Sequence, residues 1–218
     1  MTDLNDLKKF INNHRVIFSD GAMGTVLSQR VPPGVNCFEC LNLSNPGIIE
    51  TIHNEYLEAG SDMLQTNTFG ANRFKLARHG LENSLEKINR AGVEIARSAA
   101  EKIGRKVFIA GDVGPLGARL APFGRVQLLE AREFFAEQIT ALVNAGADLV
   151  IIETMTDLFE TIEAITAARQ VAPTIPIIAS MTYTRDNRTL LGDPPVKVAL
   201  ALKEAGADVI GVNCSGGP

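Results

Sequence analysis

The residues of this sequence that could do chemistry lie at the ends of short apolar runs. These ends carry three acids, together with hydroxyls, amides, glycines and one thiol. The side chains that we select there are Asp20, Thr66, Asp112, Glu153, Asn213 and Cys214. Lys, Arg and His do not occur at these ends, which disfavours acid–base catalysis by histidine and phosphate binding by side chains. The set favours recognition of an ammonium group and chemistry at sulfur or at a metal.

The apolar runs themselves predict buried parallel strands, because their interiors are almost continuously apolar. They are Val16–Ser19, Met63–Thr66, Val107–Gly111, Leu149–Glu153, Ile177–Thr182 and Val209–Asn213. Helical patterns lie between them, at Ile48–Ala59, Leu85–Ile103, Leu128–Ala145, Leu158–Val171 and from Asp193-Pro194 to about Ala205. We expect Asn45 to cap the first of these helices, and Asp157 with Glu160 to form a capping box.

A weak internal repeat indicates how helices and strands alternate. Ala59-Gly60-Ser61-Asp62, Ala145-Gly146-Ala147-Asp148 and Ala205-Gly206-Ala207-Asp208 each close a helical pattern and precede an apolar run. The physical interpretation is a helix that ends at glycine, a short turn, and then a buried strand. Repetition of this junction predicts a βα-repeating α/β fold.

Two βα architectures are compatible with this pattern, a (βα)8 TIM-type barrel and a doubly wound open sheet. Asp20-Gly21-Ala22-Met23-Gly24-Thr25 follows the first strand but lacks the third glycine of a dinucleotide-binding turn. Polar residues at the carboxyl ends of the strands are typical of a barrel, which has eight strands over roughly 250 residues. We therefore predict one domain over residues 1–218, an incomplete barrel with about six of the eight βα units.

Composition and charge exclude several classes of protein. A net charge of −4 gives no electrostatic basis for binding nucleic acid or an anionic membrane, and no apolar stretch approaches the ~20 residues of a membrane span. The first residues, Met1–Lys9, contain acids and no apolar core, so they do not resemble a secretory signal. We expect a cytoplasmic protein.

The cysteines add a further expectation. Their number is three, which is odd and disfavours a disulfide framework, so we interpret them as free thiols, metal ligands or catalytic groups. Cys37-Phe38-Glu39-Cys40 has C-x-x-C spacing, which a redox pair or half a zinc site would share. It lies in a loop rich in Pro, Gly and Asn and has no second C-x-x-C, so we assign it no function.

Four motifs occur in a specific order, Phe18–Thr25, Thr66–Asn72, Gly111–Pro115 and Gly211–Pro218. Together they resemble the homocysteine S-methyltransferase domain, and most closely the N-terminal homocysteine-binding module of cobalamin-dependent methionine synthases. The resemblance implies a (βα)8 barrel that transfers a methyl group to the zinc-activated thiolate of L-homocysteine and forms methionine. It spans essentially the whole chain.

The resemblance also implies roles for individual residues. Cys214 matches the first of three zinc-binding cysteines; the other two belong to a Gly-Gly-Cys-Cys pair that this sequence does not contain, so we expect the chain alone to be inactive. Asp20 and Glu153 match carboxylates that bind the amino-acid ammonium. The turn of Gly21, Ala22 and Gly24 could present N–H groups to the substrate carboxylate. Thr66 and Asn213 could orient substrate or ligands, whereas Asp112 is interpreted as turn chemistry.

The methyl donor and two rival functions remain open at this point. Related families use methylcobalamin charged from methyltetrahydrofolate, S-methylmethionine or betaine, and folate or cobalamin would require further modules. One alternative is a non-catalytic fragment that binds an amino acid through Asp20 and Glu153 without zinc. The other is a barrel enzyme that uses Cys214 as a nucleophile, which needs a nearby base that the strand ends do not supply.

Overall fold

The computed structural model describes residues 4–14 and 16–215, which form alternating helices and strands. The helices are α1 (Leu4–His14), α2 (Met23–Arg30), α3 (Leu41–Ser44), α4 (Pro46–Glu58), α5 (Arg73–Ala77), α6 (Leu85–Lys102), α7 (Leu128–Asn144), α8 (Leu158–Val171) and α9 (Pro195–Ala205). The strands are β1 (Met63–Gln65), β2 (Phe108–Val113), β3 (Leu149–Met155), β4 (Ile177–Met181) and β5 (Val209–Val212). A 3-10 turn at Glu82–Ser84 precedes α6.

The five strands form one parallel sheet in the order β1-β2-β3-β4-β5, so each strand pairs with the next one in the chain. A doubly wound sheet would reverse this order at a switch point, and the described strands show no reversal. The sheet is open, because β1 and β5 are not paired with each other among the described residues. This α/β arrangement is compatible with the predicted incomplete barrel.

The predicted first strand is reduced to a single isolated β-bridge. Ser19 forms an isolated parallel bridge with Met63, and Asp20 N donates to the Met63 carbonyl over 3.0 Å. Val16 and Phe18 are more than half exposed, at 54% and 64%. The segment therefore lacks the burial on both faces that stabilises an interior strand, and the prediction of six strands is wrong by one.

The predicted helices are confirmed within a few residues, but details at three of the predicted helix starts differ. Asn45 precedes α4 without a side-chain capping bond, and α9 begins at Pro195 rather than at Pro194. Asp157 caps α8 by accepting from Phe159 N over 2.8 Å. The reciprocal half of that capping box is wrong, because Glu160 instead accepts from a distant backbone N–H, that of Leu116, over 2.7 Å.

The Ala-Gly-x-Asp junctions are confirmed and have a common geometry. Gly60, Gly146 and Gly206 adopt left-handed φ angles of 106°, 95° and 102°, which glycine accommodates without strain. The aspartate N–H of each junction then donates to the carbonyl of the preceding strand or bridge segment. The pairs are Asp62 to Phe18, Asp148 to Ile109 and Asp208 to Ile177.

The aspartate carboxylates of the junctions bind back to the same neighbours. They accept from Phe18 N, Ile109 N and Ile177 N over 3.2, 2.8 and 2.8 Å. Each carboxylate also pairs with an arginine; the pairs are Asp62–Arg105, Asp148–Arg97 and Asp208–Arg169. The junctions therefore fix the register of neighbouring strands at the amino end of the sheet.

The core lies on both faces of the sheet. The larger cluster packs α6, α7 and α8 against one face and includes Phe135, Leu142 and Ile165. On the other face, Phe10 of α1 contacts Phe108 edge to face, with ring centroids 5.2 Å apart. Since Phe108 is the first residue of β2, α1 lies near the amino ends of the strands. No helix within residues 4–14 and 16–215 is long and apolar enough to cross a bilayer.

The junctions generate a stability prediction. Asp148→Ala leaves the Ile109 N–H and the Arg97 guanidinium without their shared acceptor, so we expect the free energy of unfolding to fall by about 2 kcal/mol. Chemical denaturation measures the change. The control is Glu94→Ala, which removes an exposed carboxylate 3.9 Å from Arg90 and should change stability by less than about 0.5 kcal/mol. Equal effects of the two substitutions would contradict a structural role for the junction.

Candidate functional site

A cavity of about 460 Å³ lies at the carboxyl ends of the strands. It contains all the site residues selected from the sequence and from the resemblance, which are Asp20, Gly21, Ala22, Gly24, Thr66, Glu153, Asn213 and Cys214. Asp112, which was also selected at the strand ends, lines the cavity as well. The other lining residues were not selected; they are Met23, Thr25, Phe38, Glu39, Gln65, Asn67, Phe69 and Thr154. No lining residue is Lys, Arg or His. The carboxyl groups therefore meet in a cavity wall that carries no cation.

Asp20 is half-buried and is held by Gln65 of β1. Its Oδ2 accepts from Gln65 N over 2.9 Å, and its Oδ1 accepts from Gln65 Nε2 over 3.1 Å. Burial raises the pKa of Asp20 to about 7; the hydrogen bonds from Gln65 oppose this rise, and the nearby Glu153 adds to it. The carboxyl group is thus poised between its neutral and charged forms near neutral pH.

Glu153 lies at the end of β3 and is linked to the end of β5 through Asn213. The Asn213 Nδ2 donates to Glu153 Oε2 over 2.6 Å and to Thr154 Oγ1 over 2.9 Å. The Asn213 Oδ1 accepts from Thr154 N over 2.9 Å. Burial raises the pKa of Glu153, and a hydrogen bond with Asp112 opposes that rise. Asn213 thus serves as a bridge between two strand ends.

Two residues beside this bridge have unusual backbones. Thr154 and Cys214 adopt φ angles of 55° and 49°, in the left-handed region that glycine prefers. Such conformations cost of order 1–3 kcal/mol each and cluster at functional sites. The Cys214 thiol is exposed and lies 3.5 Å from Thr154 Oγ1. The strain therefore places one hydroxyl and one thiol together at the edge of the cavity.

The glycine turn leads directly into α2. Among the residues that the structure describes, no side chain caps this helix at Ala22, so the N–H groups of its first turn are available at the cavity wall. Gly21 is constrained by its neighbour: an added Cβ would lie 2.9 Å from the Tyr56 hydroxyl. A larger residue at position 21 would therefore require the Tyr56 ring to move.

The loop after β1 is fixed by buried polar contacts. Thr66 Oγ1 lies 2.6 Å from Thr68 Oγ1 and accepts from Asp112 N over 3.0 Å. Glu39 Oε1 accepts from Gly70 N over 2.6 Å. Thr66 directly follows β1 and is only 1% exposed. Its hydroxyl joins the end of β1 to Asp112 of β2. The partners of this loop come from distant parts of the chain, which explains why the sequence did not reveal them.

The cysteines differ from their sequence-based interpretation. Cys37 and Cys40 form a disulfide with Cα atoms 5.5 Å apart, so the expectation of three unpaired cysteines is wrong. An odd number excludes complete pairing but permits one local pair. Cys40 also directly precedes α3, and the intervening Phe38 and Glu39 line the cavity. The segment to which we assigned no function therefore forms part of the cavity wall.

The described residues do not provide a complete zinc site. Within residues 4–14 and 16–215, Cys214 is the one thiol that lines the cavity, and zinc in catalytic sites takes three protein ligands. Across residues 4–14 and 16–215, no group of three His, Cys, Asp or Glu side chains has a metal-binding arrangement. The last three residues of the fourth motif, Gly216–Pro218, lie outside the described residues.

Comparison with known proteins gives a consistent result at the level of sequence. A family model described as homocysteine S-methyltransferase matches residues 17–218. Methionine synthases of Mycobacterium tuberculosis and Mycobacterium leprae are each 33% identical, over 232 and 219 aligned residues. These matches cover 100% and 94% of this chain but 19% and 18% of those proteins, so the chain spans about a fifth of their length.

Solved structures show the same similarity in three dimensions. The oxidised form of the homocysteine methyltransferase MmuM from Escherichia coli superimposes with a TM-score of 0.82 at 26% sequence identity. That match covers 95% of this chain and 76% of MmuM. The metallated form of MmuM superimposes with a TM-score of 0.80 and covers 95% and 77% of the two chains.

The packing at the cavity wall generates a second prediction. A Cβ at Gly114 would lie 2.4 to 2.7 Å from three ring atoms of Phe69, so Gly114→Ala must displace that ring from the cavity wall. We expect a loss of about 1–3 kcal/mol in stability from this overpacking. Gly47→Ala is the matched control, since an added Cβ there meets no atom within 4 Å. Thermal unfolding of both variants tests the difference, and an unchanged midpoint for Gly114→Ala would contradict it.

Proposed function

The chain belongs to the homocysteine S-methyltransferase family, and from this premise we propose that its cavity binds L-homocysteine for methyl transfer to sulfur, which yields methionine. The observation that carries the proposal is the convergence of Asp20, Glu153 and Cys214 in one cavity. Two carboxyl groups there can receive an ammonium group, and the thiol lies at the cavity edge.

Electrostatics supports the binding of an amino acid. Desolvation raises the pKa of both Asp20 and Glu153, which means that the hydrogen bonds they receive do not fully offset the burial of their charged forms. A bound ammonium group supplies that missing positive charge. The free N–H groups at the Gly21–Gly24 turn can then receive the substrate carboxylate. These contacts would hold the ammonium and carboxylate groups of the amino acid at two different parts of the cavity wall.

The reaction that we propose is a direct displacement. The sulfur of homocysteine, as a thiolate, forms a bond to the methyl carbon while the bond between that carbon and its donor breaks. The lining residues among those described include no histidine or lysine, and the ammonium group would occupy Asp20 and Glu153, so we propose that these residues bind and position the substrate. Methylcobalamin charged from methyltetrahydrofolate, S-methylmethionine and betaine remain the candidate donors.

In this proposal Cys214 would supply one thiolate ligand to zinc. The Escherichia coli relative has a metallated form, but the described residues of this chain provide no three-ligand group. A second candidate function is amino-acid binding through Asp20 and Glu153 without methyl transfer, since the two carboxyl groups of the cavity would receive an ammonium group in either case. A nucleophilic role for Cys214 is less well supported, because its described contacts are Thr154 and Asn213 rather than a base. The cytoplasmic location stays a prediction.

Removal of either carboxylate tests the ammonium contact. Asp20→Asn and Glu153→Gln should each weaken L-homocysteine binding by about tenfold or more, because a charge-assisted hydrogen bond contributes about 1.5–3 kcal/mol. Isothermal titration calorimetry measures the affinity. Binding of 4-mercaptobutyrate, which lacks the ammonium group, should not change, and Asp186→Asn serves as an exposed-carboxyl control. Unchanged homocysteine affinity in both site variants would refute the assignment.

The raised pKa of Asp20 predicts a pH dependence. An acid whose pKa is about 7 is largely neutral at pH 6 and must release its proton to bind an ammonium group. Affinity for L-methionine, which has no titrating thiol, should therefore increase as the pH rises through about 7. Asp20→Asn should flatten this dependence. Affinity that falls over the same interval, or an unchanged profile in the variant, would contradict the role of Asp20.

A further inference from the structure

Asp112 is a third acid of the cavity whose role the proposed function leaves unassigned. It lies near the end of β2, is 6% exposed, and is paired in register with Ile151 of β3. Paired residues of neighbouring strands project to the same face of a sheet, as do residues two apart along one strand. Asp112 and Glu153 therefore project to the same face of the sheet, and both line the cavity.

Asp112 and Glu153 occupy diagonal positions on neighbouring strands and line one cavity, so their carboxyl groups are within reach of a shared hydrogen bond. Two carboxyl groups can share a hydrogen bond only if one of them carries a proton, because two ionised carboxylates are both acceptors. The Asp112 Oδ1 is fully buried and receives no hydrogen bond from any donor among the described residues. Glu153, in contrast, receives the Asn213 amide over 2.6 Å. The geometry therefore places the proton on Asp112 and the negative charge on Glu153.

The backbone of Asp112 is held firmly enough to define this geometry. Its N–H donates to Thr66 Oγ1 over 3.0 Å, and its carbonyl accepts from Thr68 Oγ1 over 2.8 Å. Gln138 of α7, which is fully buried, donates to the same carbonyl over 3.4 Å. The side chain therefore extends from a fixed point beside Glu153.

Resting on the proposed function, we propose that Asp112 is a positioning residue for the substrate ammonium group. As a neutral acid it donates a hydrogen bond to Glu153, and together with Asn213 it holds that carboxylate ready for the ammonium. Asp112 acts through Glu153 and does not itself supply a negative charge to the substrate. This role differs from that of Asp20, whose carboxyl group is held by Gln65.

The charges around Asp112 agree with a neutral acid. Burial raises its pKa well above the usual range, the negative groups Glu153, Asp20 and Glu39 raise it further, and Lys75 lowers it. A hydrogen bond donated to Glu153 favours the charged form of Glu153 in turn. One buried proton thus allows its neighbour to remain ionised.

The decisive comparison is between two substitutions of Asp112. In Asp112→Asn the side-chain amide keeps a donor for Glu153 but cannot carry a charge, so L-homocysteine affinity should stay within about threefold of wild type. In Asp112→Leu the donor is lost, and affinity should fall by about tenfold. Calorimetry on the folded proteins measures both, and Asp112→Ala replaces Asp112→Leu if the larger side chain prevents folding. Affinity for 4-mercaptobutyrate should be the same in all of them.

A double-mutant cycle tests whether Asp112 acts through Glu153. In a Glu153→Gln background, Asp112→Ala should cause little further loss of homocysteine affinity, because the shared partner is already altered. The inference is overturned if Asp112→Asn binds as weakly as Asp112→Leu, if Asp112→Leu binds like wild type, or if the two substitutions are additive. Failure of the wild-type protein to bind L-homocysteine would instead refute the proposed function together with this role.

Discussion

The register of neighbouring parallel strands, set at the amino end of the sheet, is the constraint on which the cavity depends. Asp62, Asp148 and Asp208 each bind the backbone of the preceding strand or bridge segment twice, once through the N–H and once through the carboxylate. A slip of one residue would turn every side chain to the opposite face of the sheet. Contacts far from the cavity thereby determine that the acids at the other end of the strands face one another.

The same geometry explains which features could be predicted from the sequence. Parallel strands bring their carboxyl ends to one edge, so polar residues that follow apolar runs were expected to meet, and Asp20, Glu153 and Asn213 do line one cavity. The apolar run near Val16 was predicted to be a full strand but forms only a bridge, because an apolar run does not reveal whether both of its faces will be covered. The resemblance to a known family supplied the assignment of Cys214 that spacing alone could not.

Features that depend on long-range contacts were not predictable. Asp112 lies in a sequence segment that resembles a turn, and the role that we propose for it depends on its placement beside Glu153, 41 positions later in the chain. Glu160 had the spacing of a capping box, yet a backbone N–H from the loop after β2 competes successfully for its carboxylate. A disulfide between Cys37 and Cys40 was not expected, because the odd number of cysteines disfavoured a disulfide framework. The local turn nevertheless brings the two Cα atoms within 5.5 Å.

The left-handed backbones of Thr154 and Cys214 have a consequence for the evolution and engineering of this protein. Glycine at either position would relieve strain of order 1–3 kcal/mol, so a search for stabilising substitutions would select these two sites. Each replacement would also remove the hydroxyl or the thiol that the strain holds beside Asn213. Stability and the function that we propose are therefore opposed at these positions, and stabilising substitutions should be sought elsewhere in the sheet.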